Sequence, residues 1–371
     1  MESLVDKKLF GSSYEGRRVF LTGHTGFKGS WLAMWLKAMG ADVLGYSLSP
    51  NTSPSHYELL RLGVASVYAD IRNRDLLNKA ITDFRPEIVF HLAAQPLVRY
   101  SYDNPVETYE TNVIGTLNVF EASRRVDSVR AIVNITSDKC YENREWVWGY
   151  RENDPMGGYD PYSASKGCSE ILTASYRHSY YNINDYGKKH HVLLASCRAG
   201  NVIGGGDWAK DRLVTDIMIS VSKGAKVKIR NPYATRPWQH VLEPLSGYLN
   251  IGQMLMEGKK EFADGWNFGP SDEDSLSVES VVKNIKKHWD KIDYEIDRVE
   301  NQPHEAKLLK LDCAKARMFL NWKNVWNSEE AFKRTVVWYK KFYEEQQLLT
   351  QSDLEQYIHD ASKQNINWTL S

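Results

Sequence analysis

At 371 residues, with 42% hydrophobic and 25% charged side chains, the chain has the composition of a globular protein about two domains long, which excludes a disordered, collagenous or low-complexity polymer. Its 47 Lys and Arg balance 47 Asp and Glu, so it has no global basic footprint for nucleic acid, although a local cluster can still hold a phosphorylated small molecule. Apolar runs such as 192–195 fall far short of the roughly 18 residues of a membrane span, and residues 1–10, with Glu2 and Asp6, do not read as a signal peptide.

In chain order, 18–22 (RVFLT) reads as a strand ending in glycines, and 29–39 follows with Trp31, Leu32, Trp35, Leu36 and Met39 at helical spacing. Strands are predicted at 42–47 and 66–69, a helix at 75–84, a buried strand at 87–94, a long helix at 106–125 and a strand at 130–136. A helix over 162–180 leads into a strand at 192–197. Short apolar runs alternating with helices predict a parallel sheet covered on both faces, and right-handed crossovers make it a doubly wound α/β fold. Beyond residue 200 Gly204-Gly205-Gly206, Asn231-Pro232 and Gly269-Pro270 punctuate shorter elements, with helices at 241–257, 278–290 and 329–345. The reading assigns 1–200 and 236–268 to a nucleotide-binding domain and 201–235 and 269–350 to a smaller α/β substrate domain. Residues 351–371 form a tail without a readable role. Ligands of doubly wound folds bind at the carboxyl ends of the strands, where the second domain would close a cleft. Cys140, Cys168, Cys197 and Cys313 are scattered without metal-ligand spacing, so the reading is no metal, free thiols and a cytoplasmic protein.

Between the first strand and first helix lies Thr22-Gly23-His24-Thr25-Gly26-Phe27-Lys28-Gly29. Glycines three apart permit a tight turn, close approach of a pyrophosphate and helix–strand packing, and the helix amino terminus offers free N–H groups to phosphates. The strand–turn–helix context makes a dinucleotide site the better reading over a bare glycine turn. Gly23, Thr25, Gly26 and Phe27 are its loop residues. Asp70 with the Ile71 backbone is a candidate for the adenine edge, and Ala93 and Ala94 let a cofactor pass the fourth strand. The second strand ends Gly45-Tyr46-Ser47 without an acid for the adenosine ribose. No arginine follows for a 2′-phosphate, though Lys28 lies in the loop. NAD is preferred over NADP.

Pro161-Tyr162-Ser163-Ala164-Ser165-Lys166 opens the helix after the fifth strand, with Tyr162 and Lys166 on one face. An ammonium beside a phenol is expected to lower the tyrosine pKa from about 10, giving a base that takes an alcohol proton while hydride leaves the same carbon. Thr136-Ser137 supplies hydroxyls at a strand's carboxyl end.

The glycine loop, Tyr162-x-x-x-Lys166 and Asn112 in Thr111-Asn112-Val113-Ile114-Gly115-Thr116 resemble the extended short-chain dehydrogenase/reductase superfamily over nearly the whole chain. The longer strings 23–32, 94–98, 137–143 and 236–241 resemble its CDP-glucose 4,6-dehydratase group. That resemblance implies a CDP-glucose substrate and a tightly held, recycled NAD. Tyr162 would deprotonate the glucose 4-hydroxyl as hydride leaves C4, Lys166 would bond the nicotinamide ribose, and Ser137 and Thr136 would line the centre. Water is then lost across C5 and C6, and hydride returns to C6. Related dehydratases carry Asp-Glu as acid and base where this chain has Asp138-Lys139, so Asp138 carries over as the acid. Lys139 is either the C5 base or an electrostatic stabiliser. Asn201 matches a position that bonds substrate, Gln95 belongs to a matching string, and Arg212, Arg230 and Arg236 are candidates for the pyrophosphate.

The resemblance further implies a homodimer or dimer-based tetramer through helices 106–125 and 162–180, and a place in deoxysugar synthesis for surface polysaccharide. The competing readings are a nucleotide-sugar epimerase or reductase, for which Asp138-Lys139 is dispensable, and a dinucleotide-sensing protein, which has no need of Ser137, Tyr162 and Lys166 together. Trp146, Trp148 and Tyr150 are read as packing rather than substrate residues, and His91 and His240 as packed or hydrogen-bonded.

Overall fold

The computed structural model describes residues 8–370 apart from 230–231, 233–234, 272–273 and 297–307. Strands and helices alternate first as β1 (Arg18–Thr22), α1 (Phe27–Ala38), β2 (Asp42–Ser47), α2 (His56–Leu60), β3 (Ala65–Tyr68), α3 (Arg74–Phe84) and β4 (Ile88–His91). Then come α4 (Val98–Asp103), α5 (Pro105–Tyr109), α6 (Gly115–Arg124), β5 (Ala131–Ile135), α7 (Pro161–Ser179) and β6 (Leu193–Ala199). The remainder runs β7 (Asn201–Ile203), α8 (Leu213–Ser222), β8 (Val227–Ile229), β9 (Thr235–His240), α9 (Leu242–Met256), β10 (Gly265–Phe268) and β11 (Ser275–Ser277). It ends with α10 (Val278–Lys286), β12 (Tyr294–Ile296), α11 (Ala314–Leu320), α12 (Ser328–Glu345) and α13 (Thr350–Lys363).

Seven strands form one sheet in the order β3-β2-β1-β4-β5-β6-β10, and every pairing is parallel. Every residue of β4, β5 and β6 is buried, as their largely apolar runs require of central strands covered on both faces. One face carries α1 and α9, with Trp31, Trp35, Leu245 and Tyr248 in its core; the other carries α3 and α6, with Leu77, Ile81, Val119 and Phe120. The strand order reverses between β1 and β4, which opens a crevice at their carboxyl ends. A second core holds Ile217, Met218, Trp238, Val281, Ile285, Phe332 and Trp338, from α8, β9, α10 and α12.

Two expectations change. The helix read over 106–125 is α5 and α6 joined by a π-helical turn at Glu110–Ile114, which carries Asn112. The 269–350 boundary also fails, because Leu311, Leu320, Trp322 and Trp326 return to pack on the sheet domain. Trp322 Nε1 donates to Ser246 Oγ at 3.0 Å, and the Val325 and Trp326 N–H groups donate to the Glu243 carboxylate. The tail belongs to the same core: Trp368 stacks on Phe10 at 5.0 Å, and Tyr357 meets Trp35 edge to face. Among the described residues no helix is long and apolar enough to cross a membrane.

Candidate active site

A cleft of about 850 Å³ runs along the carboxyl ends of the central strands and is bordered opposite by Asn201, Asp207, Arg212, Arg236 and Trp238. At its floor Gly23 has φ +73°, and a Cβ there would lie 2.7 Å from the Ala93 nitrogen, so loop and strand meet only because the side chain is missing. Helix α1 starts at Gly26 without a side-chain cap. Its first N–H groups and positive dipole end therefore face the cleft that Gly26, Phe27 and Lys28 line, which fits a dinucleotide's phosphates.

The remaining cofactor candidates singled out in the sequence line the same cleft, with partners the sequence did not reveal. The Thr25 hydroxyl lies 2.8 Å from Ser47 Oγ and donates to the Leu48 carbonyl at 2.9 Å. Asp70 lines the cleft beside Ile71, Ala93 and Ala94, gripped by Arg72 through Nη2 at 2.7 Å and Nε at 3.0 Å. Burial opposes its charge, but the hydrogen bonds from Arg72 outweigh it and hold the carboxyl below its usual range. Arg72 also reaches Glu110 at 3.3 Å.

One wall of the cleft is α7 with the turn after β5. Asp160 caps α7, accepting from the Ser163 N–H at 2.9 Å and its hydroxyl at 2.6 Å, and the Tyr162 N–H donates to Ser101 Oγ at 3.1 Å. These bonds fix Tyr162 against Ser137, whose hydroxyl donates to Asp138 Oδ1 at 3.0 Å. Gly200 makes room for this acid: a Cβ there would stand 2.9 Å from Asp138 Oδ2. Lys139 is half-buried and lines the same cleft, its N–H donating to Ser137 Oγ at 3.3 Å.

One electrostatic expectation is reversed. Burial pushes the Tyr162 phenol up to about 12, opposed by its hydrogen bond with Ser137. Lys166 does not offset this, because its ammonium turns to the Ile135 carbonyl at 3.4 Å. Burial pushes Lys166 itself down to about 8, opposed by Glu170.

Behind this wall is a buried ion pair that the sequence reading missed. Glu170, one turn beyond Lys166, accepts from Arg198 Nη2 and Ser196 Oγ at 2.7 Å each and from the Thr136 hydroxyl. Burial opposes its charge, yet Arg198 and these bonds hold the carboxyl down to about 2. Arg198 also donates to the Glu152 carbonyl at 3.0 Å. The available signal was an arginine inside an otherwise largely apolar strand.

Across the cleft, Arg212 pairs with Asp207 at 2.6 Å, and Arg236 donates to the Thr235 carbonyl at 3.0 Å while lining the cleft. Arg230 lies outside the described residues. Gln95 reaches the cleft, but its amide donates to Thr108 Oγ1 at 2.9 Å and accepts from the Leu97 N–H at 2.5 Å, so it shapes the loop. Asn112 braces that loop, accepting from the Gln95 N–H at 2.8 Å and donating to Ser165 Oγ at 2.8 Å. Tyr150 stacks on Tyr141 in the core, whereas Trp148 is exposed outside the cleft. His91 bridges Thr22 and Thr116, and His240 packs against Trp326. A phenol, a hydroxyl, a carboxyl and two amines thus line one cleft, a set suited to moving protons on a polyol.

Residues 20–335 match the family model described as GDP-mannose 4,6 dehydratase. The chain belongs to this family. Within its wider kin, the chain is 54% identical to the CDP-glucose 4,6-dehydratase of Salmonella typhimurium, over 95% of this chain and 97% of that protein. It is 24% identical to the CDP-paratose 2-epimerase of Salmonella typhi, over 86% and 98%. The fold of this family member matches epimerase Mth375 of Methanothermobacter thermautotrophicus, with TM-score 0.76, 23% identity and coverage of 90% and 94%. It also matches the UDP-glucose 4-epimerase of Brucella ovis in complex with NAD, with TM-score 0.71, 20% identity and coverage of 86% and 97%.

Proposed function

We propose that the protein is a hydro-lyase that converts CDP-glucose to CDP-4-keto-6-deoxyglucose and water. The observation that carries this reading is the convergence of Ser137, Asp138, Lys139, Tyr162 and Lys166 on the cleft that also holds the glycine loop. A plain dehydrogenase needs Tyr162 and Lys166 but not the Asp138-Lys139 pair.

The dinucleotide is NAD. Phosphates belong at the open amino terminus of α1, and no arginine directly follows Ser47 to receive a 2′-phosphate; Arg72, beside the cleft residues Asp70 and Ile71, is already engaged by Asp70 and Glu110. Gly23, Gly26 and Phe27 would hold the dinucleotide, whose nicotinamide would supply the acceptor for the C4 hydride and its return to C6. Tyr162 accepts the proton of the 4-hydroxyl, relayed with Ser137. Once C4 is a ketone the C5 proton is acidic; Lys139 faces it, and Asp138 donates to the departing 6-hydroxyl. Arg212, Arg236 and Asn201 hold the nucleoside diphosphate on the second-domain side.

The test is incubation with NAD and each of CDP-, dTDP-, UDP- and GDP-glucose, followed by mass analysis. The expected product is one water lighter, from CDP-glucose far above the rest, with no build-up of reduced cofactor. A site that bonds a base edge rejects analogues by about 10⁴-fold, because its own polar groups are left unpaired. An oxidised, undehydrated sugar with stoichiometric NADH would make the protein a dehydrogenase instead. We further infer a cytoplasmic homodimer, since α5, the π turn and α7 leave Val106, Ile114 and Ile171 exposed around Cys168. Light scattering of the pure protein tests the assembly.

A further inference from the structure

Asp207 and Arg212 lie on the loop that joins β7 to α8, and both line the cleft. The backbone of this loop is held from α12. The Tyr339 hydroxyl accepts from the Asp207 N–H at 2.8 Å and donates to the Asp207 carbonyl. Trp208 packs edge to face on Tyr339 and Phe342, and its Nε1 donates to the Tyr343 hydroxyl at 2.9 Å. At the loop's other end Arg212 is the residue before α8, its carbonyl accepting from the Asp216 N–H at 2.8 Å.

On this fixed backbone the side chains are ordered in turn. The Asp207 carboxylate accepts from the Ala209 N–H through Oδ1 at 3.0 Å and from Arg212 Nη1 through Oδ2 at 2.6 Å, so it cannot turn without losing a donor. Arg212 makes no other hydrogen bond among the described residues. Engagement through Nη1 leaves the Nε and Nη2 donors, which lie parallel on one edge and match two oxygens of a phosphate. The Arg212 side chain is 34% exposed against 7% for Asp207, so a ligand in the cleft meets the guanidinium and not the carboxylate behind it. As a bare charge, an acid beside a diphosphate would only repel it. What the carboxylate supplies is the hold on Arg212.

We propose that Asp207 is a positioning residue for the substrate diphosphate, gripping Arg212 by one nitrogen so that the parallel Nε–Nη2 edge is left for two phosphate oxygens. The inference rests on the CDP-glucose reading above. A guanidinium already held loses little further freedom when the ligand arrives, whereas a loose one must be ordered at the expense of affinity.

The experiment titrates CDP, the diphosphate part of the substrate, into the full chain by calorimetry. Asp207→Ala is expected to weaken CDP binding by about tenfold, the scale of ordering one long side chain on binding. Asp207→Asn, whose single amide oxygen can still accept from Arg212, is expected to weaken it by about threefold. In an Arg212→Gln background Asp207→Ala is expected to change CDP affinity by less than about twofold, because the group it positions is gone. NADH affinity, read by fluorescence, is expected to stay within about twofold in every variant, since the glycine loop is untouched. Plain repulsion between Asp207 and the diphosphate predicts the opposite sign, so tighter CDP binding in Asp207→Ala or Asp207→Asn overturns the proposal. An equal loss with and without Arg212 overturns it as well, because Asp207 would then act by itself. So does a parallel loss of CDP and NADH binding, which would make Asp207 a structural residue. Wild-type protein that binds no CDP would overturn the CDP-glucose reading and this inference with it, whereas wild-type binding without an Asp207 effect overturns the inference alone.

Discussion

Arg198 Nη2 lies 2.7 Å from Glu170 Oε2, and both side chains are almost wholly buried behind Lys166. The pair ties β6 to α7 and, through the Thr136 hydroxyl, to the end of β5. Removing one partner leaves an uncompensated buried charge, so Glu170→Gln and Arg198→Met are each expected to cost about 3–5 kcal/mol in denaturant unfolding at pH 7. The Glu170 carboxyl is held at about 2 in the folded protein against 4.5 unfolded. A depressed acid stabilises the fold above its unfolded value, and that stability is lost as pH falls from about 4.5 through 2. Wild-type stability should decline over this window, and the Glu170→Gln slope should be shallower. Equal slopes would mean that other carboxyls carry the acid sensitivity.

Glu243 predicts the opposite trend on the alkaline side. Burial pushes its carboxyl up to about 8, although Val325, Trp326 and Tyr357 all donate to it. Burial pushes Asp353 up to about 7, against Arg334. For an acid whose folded value is raised, the native state binds more protons between the unfolded and folded values. Stability therefore falls as pH rises from about 4.5 to 8. The melting temperature of wild type should drop across that range, while Glu243→Gln/Asp353→Asn should flatten the profile. A wild-type profile that rises with pH would exclude both groups as the cause.

Tyr162→Phe tests the proton transfer. The ring keeps its packing in the first turn of α7, but the hydroxyl that meets Ser137 is gone. General acid–base transfer contributes about 10²–10⁴-fold, so turnover of CDP-glucose should fall by about that factor while NAD affinity stays within a few-fold. Activity within about tenfold of wild type would assign the proton to another group.

The fold was legible where local rules act alone. Central strands such as β4 and β5 show as short, largely apolar runs, and the Gly23–Gly29 loop announces its turn because a Cβ at Gly23 has nowhere to go. What the sequence hid depends on partners far along the chain. Trp322 and Trp326 look like substrate-domain residues until Ser246 and Glu243, about 80 positions earlier, are seen to receive them. The charge state of Tyr162 was misread for a similar reason. A Tyr-x-x-x-Lys spacing places the two on one face, but the burial of the phenol and the turn of Lys166 toward Ile135 are set by tertiary packing. The Glu170–Arg198 pair escaped because neither residue belongs to the motif it supports.

The remaining prediction concerns Lys139, where related dehydratases carry a glutamate. Asp138 and Lys139 are consecutive on the short turn Asp138–Cys140, and both line the cleft beside Tyr162, so one turn presents a carboxyl and an amine to adjacent substrate carbons. If the carboxyl serves the 6-hydroxyl, the amine stands over the C5 proton. A lysine removes that proton only as the free amine; as the ammonium it can only stabilise the enolate, leaving water or another residue to act as base. The two roles separate at C5. Lys139→Met keeps most of the stem and removes the amine, so C4 oxidation should persist while loss of water stops. In deuterium oxide, wild type should exchange the C5 proton of the bound 4-keto sugar, and Lys139→Met should slow that exchange by about 10²-fold or more, the usual contribution of a general base. Exchange at the wild-type rate with elimination still blocked would remove Lys139 as the base and leave it the electrostatic role.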